Sequence, residues 1–191
     1  GYSYYNGDGG AIQIGCQNSM KKLSVIFNHC EFKNNKAFRH GGAIAIQTIK
    51  DVQIIECTFQ QNQANYKNDL GSSELLFENH FHQKTEGRGG AIYINPSDST
   101  VSKDLYMETV KIENTKFISN NAYDGYAMYI EGEDPGTSFI IISNYFTNNY
   151  NENNYKDDES IIFGAVIATE IHSITKDQLH QLETENYFIY S

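Results

Sequence analysis

Two short motifs alternate along this chain, and whatever fold it adopts must give their copies equivalent surroundings. The first reads Gly9-Gly10-Ala11-Ile12-Gln13-Ile14 and returns as Gly41-Gly42-Ala43-Ile44-Ala45-Ile46 and as Gly89-Gly90-Ala91-Ile92-Tyr93-Ile94. Degenerate copies stand at Gly125-Tyr126-Ala127-Met128-Tyr129-Ile130 and at Phe163-Gly164-Ala165-Val166-Ile167-Ala168. The second motif is a Phe followed three residues later by Asn, at Phe32 and Asn35, Phe59 and Asn62, Phe117 and Asn120, and Phe146 and Asn149. Apolar side chains precede each Phe by seven and five positions: Val25 and Phe27, Val52 and Ile54, Val110 and Ile112, Phe139 and Ile141. Leu76 and Phe81 suggest a fifth copy, although Glu74 and Lys84 break its pattern. The Phe positions are spaced unevenly, by 22 to 36 residues, as one structural unit with variable loops would be.

Alternation within the Gly motif puts Ile12 and Ile14, Ile44 and Ile46, and Ile92 and Ile94 on one face, as a strand requires. A unit of two or three short strands with no helix cannot bury its own apolar face, but it can when stacked on copies of itself. The expected fold is therefore all-β: a right-handed parallel β-helix of about five to six rungs with variable loops. Strands of adjacent rungs would pair about 4.8 Å apart. The chain reads as a single domain over 1–191, a segment of a longer repeat protein, with the repeats clearest over 9–168. The stretch 173–191 breaks the repeat and reads as an irregular end or cap, or as another irregular rung, with a short helix around Lys176 to Leu182.

In such a stack the motif residues acquire structural roles. Ile, Val and Phe columns fill the core, and among the motif glycines (Gly9, Gly10, Gly41, Gly42, Gly89, Gly90 and Gly125) Gly42 and Gly90 permit a corner where a Cβ would clash. Asn35, Asn62, Asn120 and Asn149 fall at turns, where Asn tolerates the left-handed conformation and stacked amides can bond from rung to rung. Ala37, Ala64 and Ala122 are small-residue sites beside that turn. Composition agrees, because 20 Asn and 15 Gly imply many turns, while 14 Tyr and 11 Phe exclude a disordered chain.

Charge removes one class of partner. The chain carries 14 Lys and Arg against 24 Asp and Glu, a net of −10, with Arg39 and Arg88 its two arginines. It offers no basic face for nucleic acid. No apolar run approaches the roughly 20 residues of a membrane-spanning helix. The start lacks the features of a secretory signal, and because the chain begins without Met this carries little weight.

Candidate sites compete with plainer readings. Cys30 and Cys57 occupy the same position, two residues before Phe, so in-register rungs would bring them within disulfide reach. The alternative is a pair of reduced, buried thiols in a column continued by Thr115 and Asn144; Cys16 has no aligned partner. His80 and His82 could share a strand face with His29 nearby, but two histidines without a third ligand read as loop residues. The column before each Gly motif, Asp8, His40, Arg88 and Asp124, with a degenerate rung expected between His40 and Arg88, is where a polysaccharide-cleaving β-helix would carry its acids. A cross-rung Arg88–Asp124 ion pair accounts for it more simply. The acidic stretch Asn148–Glu159 lacks calcium-loop spacing. Tyr93 and Tyr129 should point outward as wall decoration or sugar platforms. Gln60–Ser73 and Asn95–Met107 read as projecting loops, the usual seat of specificity on repeat folds. No metal or cofactor is implied, and none of the Asn residues begins a glycosylation acceptor, since Asn95 precedes Pro96.

The pairing of Gly-Gly-Ala-Ile with Phe-x-x-Asn resembles the repeat of the polymorphic outer-membrane protein family, autotransporter adhesins, and similar repeats in protist surface proteins. The resemblance covers roughly 9–168. It implies an extracellular or cell-surface β-helix whose tetrapeptides are associated with adhesion. Its partners would be a host or neighbouring cell surface, a glycan or protein, or copies of itself. The leading expectation is a non-enzymatic adhesin or stalk. An extracellular filament of end-to-end stacked β-helices and a polysaccharide lyase or hydrolase are the alternatives.

Overall fold

The computed structural model describes residues 2–3, 7–15, 24–47, 51–64, 87–95, 109–130, 138–150, 167–169, 180 and 184–189. Strands in these segments are all parallel and fall into three main sheets, each built from the same part of successive repeats. The Gly-motif sheet runs in the order β15 (Ile167–Thr169), β12 (Met128–Ile130), β9 (Ile92–Asn95), β6 (Ile44–Gln47) and β2 (Ile12–Gly15). The Phe-motif sheet runs β16 (Tyr187–Ile189), β14 (Tyr145–Thr147), β11 (Lys116–Ile118), β8 (Thr58–Gln60) and β4 (Glu31–Lys33). A third, holding the apolar pairs upstream of each Phe, runs β13 (Ser138–Ile142), β10 (Thr109–Glu113), β7 (Asp51–Ile55) and β3 (Ser24–Asn28). Beside them β1 (Tyr2–Ser3) pairs with β5 (Lys36–Ala37).

Register follows the motifs residue for residue. Phe32, Phe59, Phe117 and Phe146 are direct partners, as are Val25, Val52, Val110 and Phe139, and Ile12, Ile44, Ile92 and Met128. Inward side chains of all three sheets meet in one apolar cluster. Within it the Phe rings stack with centroids 4.8 to 5.2 Å apart and planes within 7° of parallel. That spacing is the strand spacing itself, so each ring lies on its own counterpart.

The chain bends from the third sheet into the Phe sheet at His29, Glu56, Asn114 and Ser143, and leaves the Phe sheet at Asn34, Gln61, Ser119 and Asn148; all eight have φ between 48° and 56°. The left-handed residue at the second bend thus stands one position before the motif Asn. The expectation that Asn35, Asn62, Asn120 and Asn149 themselves take that conformation is corrected. They follow the bend, and alternation turns their side chains inward. Ala37, Ala64 and Ala122 lie buried just beyond.

The two glycines of the Gly motif answer different constraints. Gly41 has φ +63°. Gly42 instead sits where a Cβ would lie 2.0 Å from the carbonyl oxygen of Gly90 in the next copy and 2.6 Å from the backbone nitrogen of Gln63. Neither neighbour can yield, because both are main chain of adjoining copies.

Two expectations change. His40 and Arg88 belong to adjacent copies with no rung between them, since Gly41 N donates directly to Arg88 O at 2.9 Å. Likewise β8 pairs directly with β11; Leu76 and Phe81 lie outside the described residues. In the last Gly-motif strand Ile167, not Val166, aligns with Met128 and is buried, a one-residue slip that exchanges the two faces. Of the two readings left open for the tail, the further rung holds at its end: β16 pairs with β14, and Phe188 stacks on Phe146 at 5.0 Å. His180 and Thr184 are helical, and Thr184 Oγ1 donates to His180 O at 2.8 Å; the rest of the expected helix, Lys176 to Leu182, lies outside the described residues.

Gly42→Ala should therefore lower stability by about 3 kcal/mol or more by forcing two copies apart. Gly15→Ala, whose added methyl would find its nearest neighbours at an ordinary 3.8 Å, should unfold in urea at a nearly unchanged midpoint.

Candidate functional site

Behind the second bend the four motif asparagines form a buried ladder. Asn35 Nδ2 donates to Asn62 Oδ1 at 3.0 Å, Asn62 Nδ2 to Asn120 Oδ1 at 3.0 Å, and Asn120 Nδ2 to Asn149 Oδ1 at 2.9 Å. Each Oδ1 also accepts the main-chain N–H of the preceding Asn, and the second amide proton of Asn62, Asn120 and Asn149 goes to the carbonyl of Phe32, Phe59 and Phe117. One side chain thereby satisfies the main chain of the bend that a buried turn would otherwise strand.

A second ladder does the same at the first bend with a mixed set of side chains. Cys30 N donates to Cys57 Sγ at 3.4 Å, Cys57 N to Thr115 Oγ1 at 3.2 Å, Thr115 N to Asn144 Oδ1 at 2.9 Å, and Asn144 N to Asn186 Oδ1 at 3.1 Å. Cys30 and Cys57 are free thiols. The disulfide that their shared position allows is not formed: each Sγ turns to the carbonyl oxygen two residues before it, Asn28 O at 3.5 Å and Ile55 O at 3.3 Å. Burial pushes the Cys57 thiol above its ordinary pKa. The neutral thiol therefore favours the folded state fully below the ordinary thiol range, and that contribution is lost as pH rises through the raised value. Asn186 was not anticipated, although the tripeptide Asn144-Tyr145-Phe146 recurs unchanged as Asn186-Tyr187-Phe188 and would have revealed it.

The outer column before the Gly motif is engaged structurally. Asp8, 1% exposed, is clamped by Arg39 through Nε at 3.1 Å and Nη2 at 2.7 Å, and accepts His40 N at 3.3 Å. His40 Nδ1 in turn accepts Arg88 N at 3.3 Å. Arg88 and Asp124 are backbone bridge partners, and the Arg88 guanidinium lies 4.7 Å over the Tyr129 ring. Tyr93 and Tyr129 were expected as exposed decoration; they are only 4% and 2% exposed. With Ala45 they make a small second core, and His40 stacks on Tyr93 at 4.8 Å. Sugar stacking on these two rings is thereby excluded.

What remains accessible is elsewhere. The residues on either side of the motif Asn, namely Asn34, Gln61, Gln63, Ser119, Asn121 and Tyr150, line a shallow groove of about 330 Å³ along that corner; Asn34, Gln61 and Tyr150 are exposed and Asn121 is buried. Tyr145 and Tyr187 stack at 4.7 Å on the outside of the Phe sheet. His29 Nε2 meets Glu56 Oε2 at 2.6 Å on the surface. No cluster of three metal-ligating side chains occurs among the described residues. His80, His82, Cys16 and most of the 60–73, 95–107 and 148–159 segments lie outside them.

With the ladders in place, the span from Phe59 and Asn62 to the Gly89-Gly90-Ala91-Ile92 strand can be compared with known repeats. Residues 56–95 match the Chlamydia polymorphic membrane protein repeat. The matched span covers one passage from a Phe motif to the next Gly motif, and its Phe59, Asn62 and Gly90 are the interior positions just described. No curated protein and no solved structure matches the chain.

Removing one member of the Asn ladder orphans several groups together. Asn120→Ala should cost about 3 kcal/mol, read as a lowered urea midpoint. Iodoacetamide should label Cys30 in the native chain and reach Cys57 only after unfolding, as peptide mass spectrometry of quenched samples would report.

Proposed function

We propose that the chain is a right-handed parallel β-helix displayed at a cell surface or outside the cell, acting as an adhesin or stalk by presenting a surface and not by catalysis. The observation that carries this reading is the division of labour within the matched repeat. Phe59, Asn62 and Gly90 are buried and serve the stack, so the motif fixes a scaffold and leaves corners and loops to vary. A scaffold of that kind suits display. The three in-register parallel sheets around one core support the β-helix, and the name of the matched repeat supports a membrane-associated setting.

The carbohydrate-cleaving alternative has less support. Asp8 and Asp124 stand three copies apart, about 14 Å at the spacing of paired strands, beyond the roughly 5 to 9.5 Å that two-carboxylate glycoside hydrolysis uses. Asp8 is moreover held by Arg39.

Protease treatment of intact source cells, followed by mass spectrometry of the released peptides, tests the reading. Peptides from the 60–73 and 95–107 segments, which the sequence reads as projecting loops, are expected from intact cells. Their appearance only after lysis would overturn surface display.

A further inference from the structure

We propose that the outer corner groove is a binding site for a short, neutral oligosaccharide. The proposal deepens the adhesive reading above and rests on it.

The groove is built from four successive copies. Asn34 comes from the first, Gln61 and Gln63 from the second, Ser119 and Asn121 from the third, and Tyr150 from the fourth. They form two rows: Asn34, Gln61 and Ser119 at the left-handed bend, and Gln63, Asn121 and Tyr150 two positions on, in a run of successive bridge partners that begins at Lys36, just beyond the lining. Three steps between copies give a track about 14 Å long.

Chemistry selects the ligand class. Four lining residues carry amides, each offering a donor and an acceptor, and the other two carry hydroxyls that do both. Sugar hydroxyls are likewise donor and acceptor together, so such a lining pairs with them without leaving either role unmet. None of the six is charged. A phosphate or an acidic sugar calls for Arg or Lys within the lining; Lys36 stands only at the row's end beside Gln63, and the net charge of −10 opposes an anion further. Calcium calls for carboxylates. An apolar ligand calls for an apolar wall. The half-exposed Tyr150 ring at one end supplies the flat apolar surface that the C–H face of a pyranose packs against.

The groove is also preorganised. Directly behind it runs the asparagine ladder, whose amides hold each bend from inside, so the outward rows keep their spacing before any ligand arrives. Tyr145 and Tyr187 are a poorer platform, because their rings spend their facing surfaces on each other.

The 191-residue chain should be screened against arrayed neutral oligosaccharides (gluco-, manno-, galacto- and N-acetylglucosamine series) alongside uronic-acid and sialylated ones. Hits are then titrated with the 15N-labelled chain. The expected result is binding to a neutral series, with amide shifts concentrated at the six lining residues. The Gln63→Ala/Tyr150→Ala variant should weaken binding about tenfold or more, whereas Tyr145→Ser/Tyr187→Ser leaves it unchanged. Shifts confined to other surfaces, recognition of acidic glycans alone, or no neutral hit would overturn the assignment. The shift map needs no variant, so a variant that fails to fold does not rescue the proposal. A chain that adheres to intact cells yet binds no neutral glycan would sink the groove assignment and spare the adhesive reading. One that binds neither would take both away.

Discussion

Parallel strands paired in register about 4.8 Å apart set every side chain against its own counterpart in the next copy, and the rest of the structure depends on each column tolerating that encounter. A Phe column tolerates it by stacking, at ring separations close to the strand spacing. An Asn column does so because an amide is self-complementary, its Nδ2 donating to the next Oδ1 while the same oxygen takes a main-chain N–H. A charged residue in either column would meet its own charge in the interior, with nothing to compensate it. Self-compatibility is therefore the filter that leaves a short vocabulary, mainly Gly, Ala, Val, Ile, Phe and Asn with a single Met128, in the motif columns.

The filter does not require identity, and the first bend shows the difference. Its column reads Cys30, Cys57, Thr115, Asn144 and Asn186, yet the main-chain N–H of each of the first four finds a side-chain acceptor in the next. The demand is for an acceptor of short reach. Sulfur, hydroxyl and amide oxygens all meet it, which is why this column shares no letter and could be lined up from the sequence only by its offset from Phe, whereas the Asn ladder repeats one residue.

The same logic explains how much of the fold and the site could be read from sequence. Strand positions, their parallel pairing and the Phe and Asn columns follow from recurrence plus alternation, because identical residues at equal offsets must share a face. Recurrence failed where the copies were degenerate. Around Val166 and Ile167 two apolar residues compete for one inward place, so the pattern does not fix which is chosen, and burial decides for Ile167. At the tail, Phe188 lacks the following Asn, so a search for the whole motif passed over it although Asn186-Tyr187 precedes it. Tyr93 and Tyr129 were misjudged for another reason: alternation tells which side of a sheet a residue faces, not whether that side is covered. The outer groove was invisible because its lining residues share no letter; only their offset from the motif Asn unites them.

That last point bears on how a repeat protein can recognise anything. Columns facing inward are constrained by their counterparts and so cannot be tuned for a ligand without cost to the stack. Positions on either side of the motif Asn are less restrained, since all but the buried Asn121 reach the surface at least in part, and they hold Asn, Lys, Gln, Ser and Tyr in different copies. Yet they are held in place by the most constrained element in the chain, the amide ladder one residue away. Variable chemistry mounted on a rigid row is what selective binding needs. Here a single alternation, inward Asn and outward neighbours, supplies both halves of it at every copy.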